Sequence, residues 1–367
     1  MPHKIKILHL ISKIDLSQGG PPRMVLKTFQ AQRKLGYQSK ILTTSKYLIK
    51  KNKFIYKGTL FNKRFAIPNL SLVIKIFNEI KKNDVIHIHN FWNVFVTISI
   101  IFSRYHKKKI ILSPHGSMHK DNLKKNYLLK LIYYYLVEKK NLDQVHKFHF
   151  LNKKEKINFS YKNYIKKNNS IIIPNSVDII NRKYKNIKKI ITNKYNFSYI
   201  GRIAKNKGIE IMIESYLMFK KKNFDISLHI IGPNSTYKKF LQNKYNNVIL
   251  KKNIYFHKPI YSNIRFNIMN ISTALFLLSD LECDSILAKE VWASKGLLIT
   301  TKMSYNEDYY QKKIALIVNQ NINSILKAMT KTIDDRKKMD IIKENGYKYS
   351  LLSLNIIKNT KKLTTSY

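Results

Sequence analysis

Short apolar runs recur along the chain and alternate with longer amphipathic stretches. In the first half the runs are KIKILHLI (4–11), QSKILTT (38–44), DVIHIHN (84–90), KIILSP (109–114) and KFHFLN (147–152). In the second half they are FSYIG (197–201), ISLHIIG (226–232), NIYFHK (253–258), TALFLLS (273–279), GLLITT (296–301) and IALIV (314–318). Runs this short, bounded by polar residues, predict β-strands. The stretches between them carry helix signals, among them Pro22 in a first helical turn and NYLLKLIYYYLVEKK (126–140). Strands alternating with helices predict βαβ units and parallel sheets. The strands are too many for one ordinary sheet, so two doubly wound domains are expected. The first spans 1–180, the Asn- and Lys-rich stretch 181–196 links them, and the second begins at 197.

Composition fits that picture. A chain of 367 residues with 44% hydrophobic residues is long enough for two cores. The single cysteine, Cys283, excludes an internal disulfide and a cysteine metal cluster, and points to a reducing compartment. The opening residues read as a strand, not as a signal peptide. The longest apolar run, WNVFVTISIIFS (92–103), is shorter than the roughly 20 residues that cross a bilayer. A cytoplasmic protein is expected, with a peripheral position on the inner face of the plasma membrane open to it.

The net charge of +48 has two readings. One is attraction to an anionic membrane, a phosphate-rich substrate or nucleic acid. The other is compositional drift, because 61 of the 69 basic residues are Lys and only 8 are Arg. Residues 1–200 hold 41 basic and 8 acidic residues (net +33), against 28 and 13 (net +15) in the rest. The excess lies where association with a membrane surface would need it.

In open α/β sheets ligands sit beyond the carboxyl ends of the strands. Gly19 and Gly20 follow the first strand, at the amino end of a helix, where backbone can approach an anion; a plain Gly-Gly-Pro turn is the alternative. His115, in SPHGSMH (113–119), ends the fourth strand and is a candidate for chemistry or for a structural role. His87 and His89 share one face of a strand, but no third metal ligand is evident and packing is their reading. Arg202 and Lys207, in GRIAKNKG (201–208), flank a helix start and suit a diphosphate clamp. In LECDSILAKEVWASKG (281–296), Asp284 or Ser285 caps a helix ending at Lys295-Gly296. Glu282 in the loop and Glu290 on the helix are expected to face the same cleft and accept hydrogen bonds from sugar hydroxyls.

Taken in order, GGPPR (19–23), DVIHIHNFW (84–92), SPHGSM (113–118), IPNSVD (173–178), YIGRIAKNKG (199–208), HIIGP (229–233) and the Glu282–Glu290 pair resemble the family 4 (group 1) glycosyltransferases of GT-B fold. The resemblance covers nearly the whole chain. It implies an α/β architecture of two Rossmann-like doubly wound domains facing across a cleft. The second would span 197–336, and a C-terminal helix within 337–367 would return to the first. It implies a retaining, metal-independent transfer of a sugar from a nucleotide-diphosphate donor to a saccharide or lipid-linked acceptor, with no other cofactor. Carried over, Arg202 and Lys207 would hold the donor diphosphate, Glu290 the ribose and Glu282 the donor sugar. His115 would sit near the reacting sugar, and the Gly19-Gly20 loop near the phosphates and acceptor. Two stretches depart from the family pattern. Cys283, Asp284 and Ser285 replace a Gly-Phe-Gly-like run, and Ser176 replaces a glycine. The alternatives are a degenerate nucleotide-sugar binder without turnover and a basic nucleic-acid-binding protein, although no nucleic-acid motif is present.

Overall fold

A computed structural model describes residues 5–15, 20–44, 52–124, 126–177, 193–221, 225–249, 251–260, 262–280, 282–302, 309 and 312–367. Gly19, Leu281 and most of the expected linker lie outside the described residues. The chain divides into two compact units. One comprises Met1–Pro174 with Ile356–Tyr367, the other Asn175–Asn355.

The first unit runs β1 (Lys6–Ile11), α1 (Gly20–Lys34), β2 (Gln38–Thr43), β3 (Ile55–Lys57), β4 (Leu60–Asn62), β5 (Ile67–Pro68), α2 (Leu70–Lys81) and β6 (Val85–His89). It continues with α3 (Val94–Tyr105), β7 (Lys109–Ser113), α4 (Lys120–Leu123), α5 (Tyr127–Tyr133), a π-helical turn (Tyr134–Glu138), α6 (Lys139–Leu142), β8 (Lys147–Phe150), α7 (Lys153–Ile157) and β9 (Ser170–Ile172). Seven strands form a parallel sheet in the order β3-β2-β1-β6-β7-β8-β9. The order turns back at β1, between β2 and β6. Ile7, Leu8, Leu10 and Ile11 of β1 are all buried, as a central parallel strand covered on both faces requires. Asn69 and Asn93 cap α2 and α3 by accepting from the amides of Leu72 and Val96, which sets where these helices begin. The apolar run at 92–103 is therefore mostly α3. Among the described residues no helix is long and apolar enough to cross a membrane.

The second unit holds β10 (Tyr195–Ile200), α8 (Ile209–Lys220), β11 (Ile226–Ile231), α9 (Thr236–Lys244), β12 (Ile254–His257), α10 (Ile264–Ile271) and β13 (Ala274–Leu277). After these come α11 (Ile286–Ala293), β14 (Leu298–Thr301), β15 (Leu316–Val318), α12 (Ile322–Asp334) and α13 (Arg336–Ser353). Its parallel sheet has the order β12-β11-β10-β13-β14-β15 and turns back at β10. Phe197, Leu228, Leu275 and Leu298 occupy its buried centre. The two sheets are the two Rossmann-like units expected from the alternating pattern. Four strands are absent from that pattern: β3 and β9, at the edges of the first sheet with only three residues each, and β4 and β5, which pair with each other as a small antiparallel ribbon.

Three expectations differ from the structure. The helix expected at 126–140 is interrupted by the π-helical turn, because Glu138 is drawn inward to the Thr97 hydroxyl and the Asn141 amide. The return to the first unit does not start at 337. Helix α13 stays with the second unit, where Gly346 lies against Trp292 so closely that a Cβ would come within 2.7 Å of the indole. Only α14 (Ile356–Thr364) returns, and it packs on α1. The first unit also ends at Pro174 instead of 180, since Asn175 is already bound to the second unit through Asp284.

Candidate active site

In the second sheet β10 and β13 are neighbours at the point where the strand order reverses, so the loops beyond their carboxyl ends lie side by side. The loop after β10 is pinned in several places. The Tyr199 hydroxyl donates to the Arg202 carbonyl at 2.7 Å, and the Asp280 amide donates to the Asn206 carbonyl at 3.1 Å. Gly208 precedes α8 with φ of 63°, and a Cβ there would lie 2.3 Å from the Leu278 carbonyl oxygen. Glycine alone allows both the left-handed backbone and the close approach. The turn before it, Lys205–Lys207, delivers Lys207 to Glu282 beyond β13. Their Nζ and Oε1 atoms are 2.5 Å apart, with side chains 13% and 21% exposed. The Ser279 hydroxyl donates to the same Oε1 at 3.0 Å. Arg202 is exposed and makes no ion pair among the described residues. The loop thus combines an ammonium oriented by a carboxylate, an open guanidinium and the amino end of a twelve-residue helix, three features that attract an anion.

The acids of the following segment separate. Ser285 caps α11, accepting from the Ala288 amide at 3.3 Å. Asp284 turns inward and forms an ion pair with Lys289, both side chains being almost wholly buried. Asp284 Oδ2 also accepts from the Asn175 amide at 2.8 Å, and Oδ1 from the Tyr309 hydroxyl at 3.3 Å. Burial pushes the Asp284 carboxyl up and the Lys289 ammonium down, and their mutual attraction opposes both shifts. Asp284 therefore locks the 175–177 segment to α11.

Glu290 corrects the expectation that two carboxylates would open together. It is 1% exposed and takes the guanidinium fork of Arg265 from α10, with Nε to Oε2 at 3.2 Å and Nη2 to Oε1 at 2.8 Å. A mid-helix glutamate pointing into the unit needs such a partner, since an unpaired buried charge is costly. Nothing in the local sequence marks Arg265 except the rarity of Arg in this chain.

In the first unit Gly20 is the first residue of α1. His115 follows β7 with φ of 50°, an uncommon conformation for a non-glycine residue, beside Gly116 at 76°. The turn is held by the Gly116 amide donating to Glu155 at 2.7 Å and by the Asn122 side-chain amide donating to the Gly116 carbonyl at 2.7 Å. His115 Nε2 meets His89 Nδ1 at 3.0 Å, while its own Nδ1 is buried without a partner. His9, from the middle of ILHL, lies opposite His87 in the β1–β6 register. It supplies the third histidine that sequence spacing did not show. Ligand atoms of His9, His87 and His89 lie within 4.8 Å of one another. Each of their six ring nitrogens already has a hydrogen-bond partner, so a metal there would have to displace existing bonds. His9, Gln32, Ser113, His149 and Tyr367 also belong to this network, and nothing in the local sequence marks them.

Three solved structures of similar fold are distant in sequence. The Anabaena Alr3699/HepE complex with UDP-glucose matches with a TM-score of 0.78 at 13% identity, covering 99% of both chains. A glycosyltransferase from Rickettsia africae ESF-5 matches at 0.76 and 16%, over 99% of this chain and 98% of that one. WaaG, a glycosyltransferase involved in lipopolysaccharide biosynthesis, matches at 0.74 and 13%, over 97% and 98%. No curated protein matches by sequence. The chain shares the GT-B fold of these enzymes along its whole length. Its second half is more specific: residues 180–349 match the family described as Glycosyl transferases group 1, and carry that domain.

Proposed function

We propose that the chain transfers a sugar from a nucleotide-diphosphate donor, with retention at the anomeric carbon and without a metal, to a saccharide or lipid-linked acceptor. The Lys207–Glu282 pair beside Arg202 is the observation that supports this reading most directly. As the bond from the anomeric carbon to the diphosphate oxygen breaks, negative charge gathers on the leaving nucleotide. Cations already fixed in place stabilise that charge without reorganising. Lys207 is the oriented cation, Arg202 the exposed fork, and the amino end of α8 adds its dipole. Glu282 has oxygen lone pairs beyond those used by Lys207 and Ser279 for the donor sugar's hydroxyls. Glu290 reaches a ribose only by sharing its carboxylate with Arg265. His115 and Gly20 stand at a strand end and a helix start of the first unit, where a sugar and its acceptor are expected. The Anabaena protein of similar fold binds UDP-glucose, which makes uridine nucleotides the first donors to try.

A position on an anionic membrane is supported by the face around α5. Tyr127, Leu128, Leu129, Ile132, Tyr135 and Leu136 are 54–74% exposed, with Lys124, Lys139 and Lys140 exposed beside them. Clustered exposed apolar residues rimmed by lysines are what insertion among anionic headgroups needs.

The test is a panel of nucleotide sugars scored for thermal stabilisation and turnover. A donor that binds the native state raises its melting temperature by mass action. Stabilisation and turnover by at least one donor, both lost in Lys207→Ala, are expected. Unchanged turnover in Lys207→Ala and in Arg202→Ala would sink the reading.

A further inference from the structure

Five histidines gather along and just beyond neighbouring strands of the first sheet: His9 on β1, His87 and His89 on β6, His115 after β7 and His149 on β8. Burial pushes His9 and His149 down to about 4, His115 to about 3, and His87 and His89 well below their ordinary value. At neutral pH each is an uncharged ring with one N–H and one bare nitrogen. Which nitrogen carries the proton is decided by the partners, and two backbone carbonyls at the ends of the network decide it for all five.

The first carbonyl is that of Ile173, 2.9 Å from His149 Nε2. A carbonyl only accepts, so His149 carries its proton on Nε2 and its Nδ1 is bare. That Nδ1 takes the Ser113 hydroxyl proton at 2.8 Å. Ser113 has then spent its proton, so its oxygen accepts from His87 Nε2 at 2.7 Å. His87 Nδ1 is left bare and accepts from the Tyr367 hydroxyl at 2.7 Å. Tyr367 has now spent its proton too. Towards Gln32, 3.3 Å away, it only accepts, so Gln32 faces it with its amide NH2.

The second carbonyl is that of Thr360. It receives the Thr364 hydroxyl proton at 2.8 Å, so Thr364 also only accepts from Gln32, at 3.3 Å. Both ends of the network demand the same orientation of one amide. Gln32 Oε1 therefore points at His9 Nε2, 2.7 Å away, and also receives the Ser39 hydroxyl at 2.8 Å. His9 donates from Nε2, and its bare Nδ1 accepts from His89 Nε2 at 2.9 Å. His89 Nδ1 in turn accepts from His115 Nε2 at 3.0 Å. The proton order ends at His115 Nδ1, a bare nitrogen buried without a partner.

We infer that Gln32, oriented by Thr364 and Tyr367 of the returning C-terminal segment, fixes the tautomers of His9, His89 and His115 and so holds His115 Nδ1 as an acceptor for a sugar hydroxyl. The choice of a sugar hydroxyl rests on the glycosyltransferase reading; the tautomer order does not. Gln32, His9 and His89 are positioning residues, and His115 alone reaches the ligand. The last residues of the chain thereby act on a strand end in the middle of the sheet through side-chain protons alone.

The experiment is long-range proton–nitrogen correlation on the full chain with nitrogen-labelled histidine at neutral pH. Protonated Nε2 and bare Nδ1 are expected for all five rings. A proton on His115 Nδ1 in the unaltered protein would overturn the inference. In Gln32→Leu the fixed His115 signature should give way to a mixture of tautomers, and turnover of nucleotide sugar should fall roughly tenfold. An unmoved His115 signature in that variant would also overturn it. Tyr367→Phe should alter His87 and leave His115 unchanged, because Thr364 still holds Gln32. The predicted tautomers with no turnover of any nucleotide sugar would overturn the glycosyltransferase reading and leave the proton order standing.

Discussion

Lys207 and Glu282 meet at 2.5 Å, although 75 positions separate them in the chain. They are brought together because β10 and β13 are paired at the reversal of strand order. Each residue holds the other in place, and each is also exposed enough to touch a ligand. Lys207→Ala is expected to reduce nucleotide-sugar turnover by roughly 100-fold or more, the usual worth of a fixed charge at a developing anion. Glu282→Gln should lose less, since it keeps one acceptor for a sugar hydroxyl but frees the ammonium to wander. Steady-state kinetics on both variants, with circular dichroism to confirm folding, checks this order.

Asp284 and Lys289 form a pair with almost no solvent contact. Removing one partner strands the other charge in the core, so Asp284→Ala should cost about 3–5 kcal/mol. Asp284→Ala with Lys289→Met should cost less than Asp284→Ala alone. Urea unfolding of the two variants gives the comparison directly.

Glu290 and Arg265 allow a finer separation. Glu290→Gln leaves Arg265 with a neutral acceptor and should lower both stability and affinity for a uridine nucleotide. Arg265→Lys keeps the charge but loses the fork. If Glu290 serves a ribose, Arg265→Lys should retain more nucleotide affinity than Glu290→Gln in titration calorimetry. Equal affinities in the two variants would leave Glu290 as a structural residue only.

The buried histidines make stability depend on pH in one direction. Their folded values lie below the ordinary 6.5, down to about 4 for His9 and His149. Below pH 6.5 the unfolded chain therefore binds protons that the native state refuses. Stability is full above about pH 6.5 and falls as pH drops towards 4, at about 1.4 kcal/mol per pH unit for each such group. A melting temperature flat from pH 7 to 8 and dropping steeply between 6.5 and 4 is expected. His9→Gln should make that drop shallower.

The apolar face of α5 and the π-helical turn after it predicts binding to vesicles with anionic headgroups. Leu128→Glu together with Leu136→Glu should abolish co-sedimentation and leave turnover of a water-soluble acceptor unchanged. Equal binding by the double variant, or equal binding to neutral vesicles, would count against a membrane role for this face.

The apolar runs located nearly every strand of the two sheets, because a central parallel strand is buried on both faces and its sequence has to be apolar throughout. The short edge strands β3 and β9 lacked that signal. The post-strand rule likewise placed Arg202, Lys207, Glu282 and His115 in loops, since the strands' direction fixes which end is open. The same reasoning gave Glu290 the wrong surroundings. Helix periodicity says which face a residue is on, but not whether an arginine from another helix waits there.

The order of amino acids alone set the alternation of strands and helices, the two large parallel sheets, and the loops that hold the candidate chemistry. These follow from local backbone preference and from which positions must be dry. Long-range packing alone made Asp284 a lock on Asn175, gave Glu290 to Arg265, and brought Tyr367 to His87. The same packing lets Gln32 set the protons of three histidines. Each of those outcomes depends on a hydrogen bond between residues far apart in sequence, and such bonds leave no periodic trace along the chain.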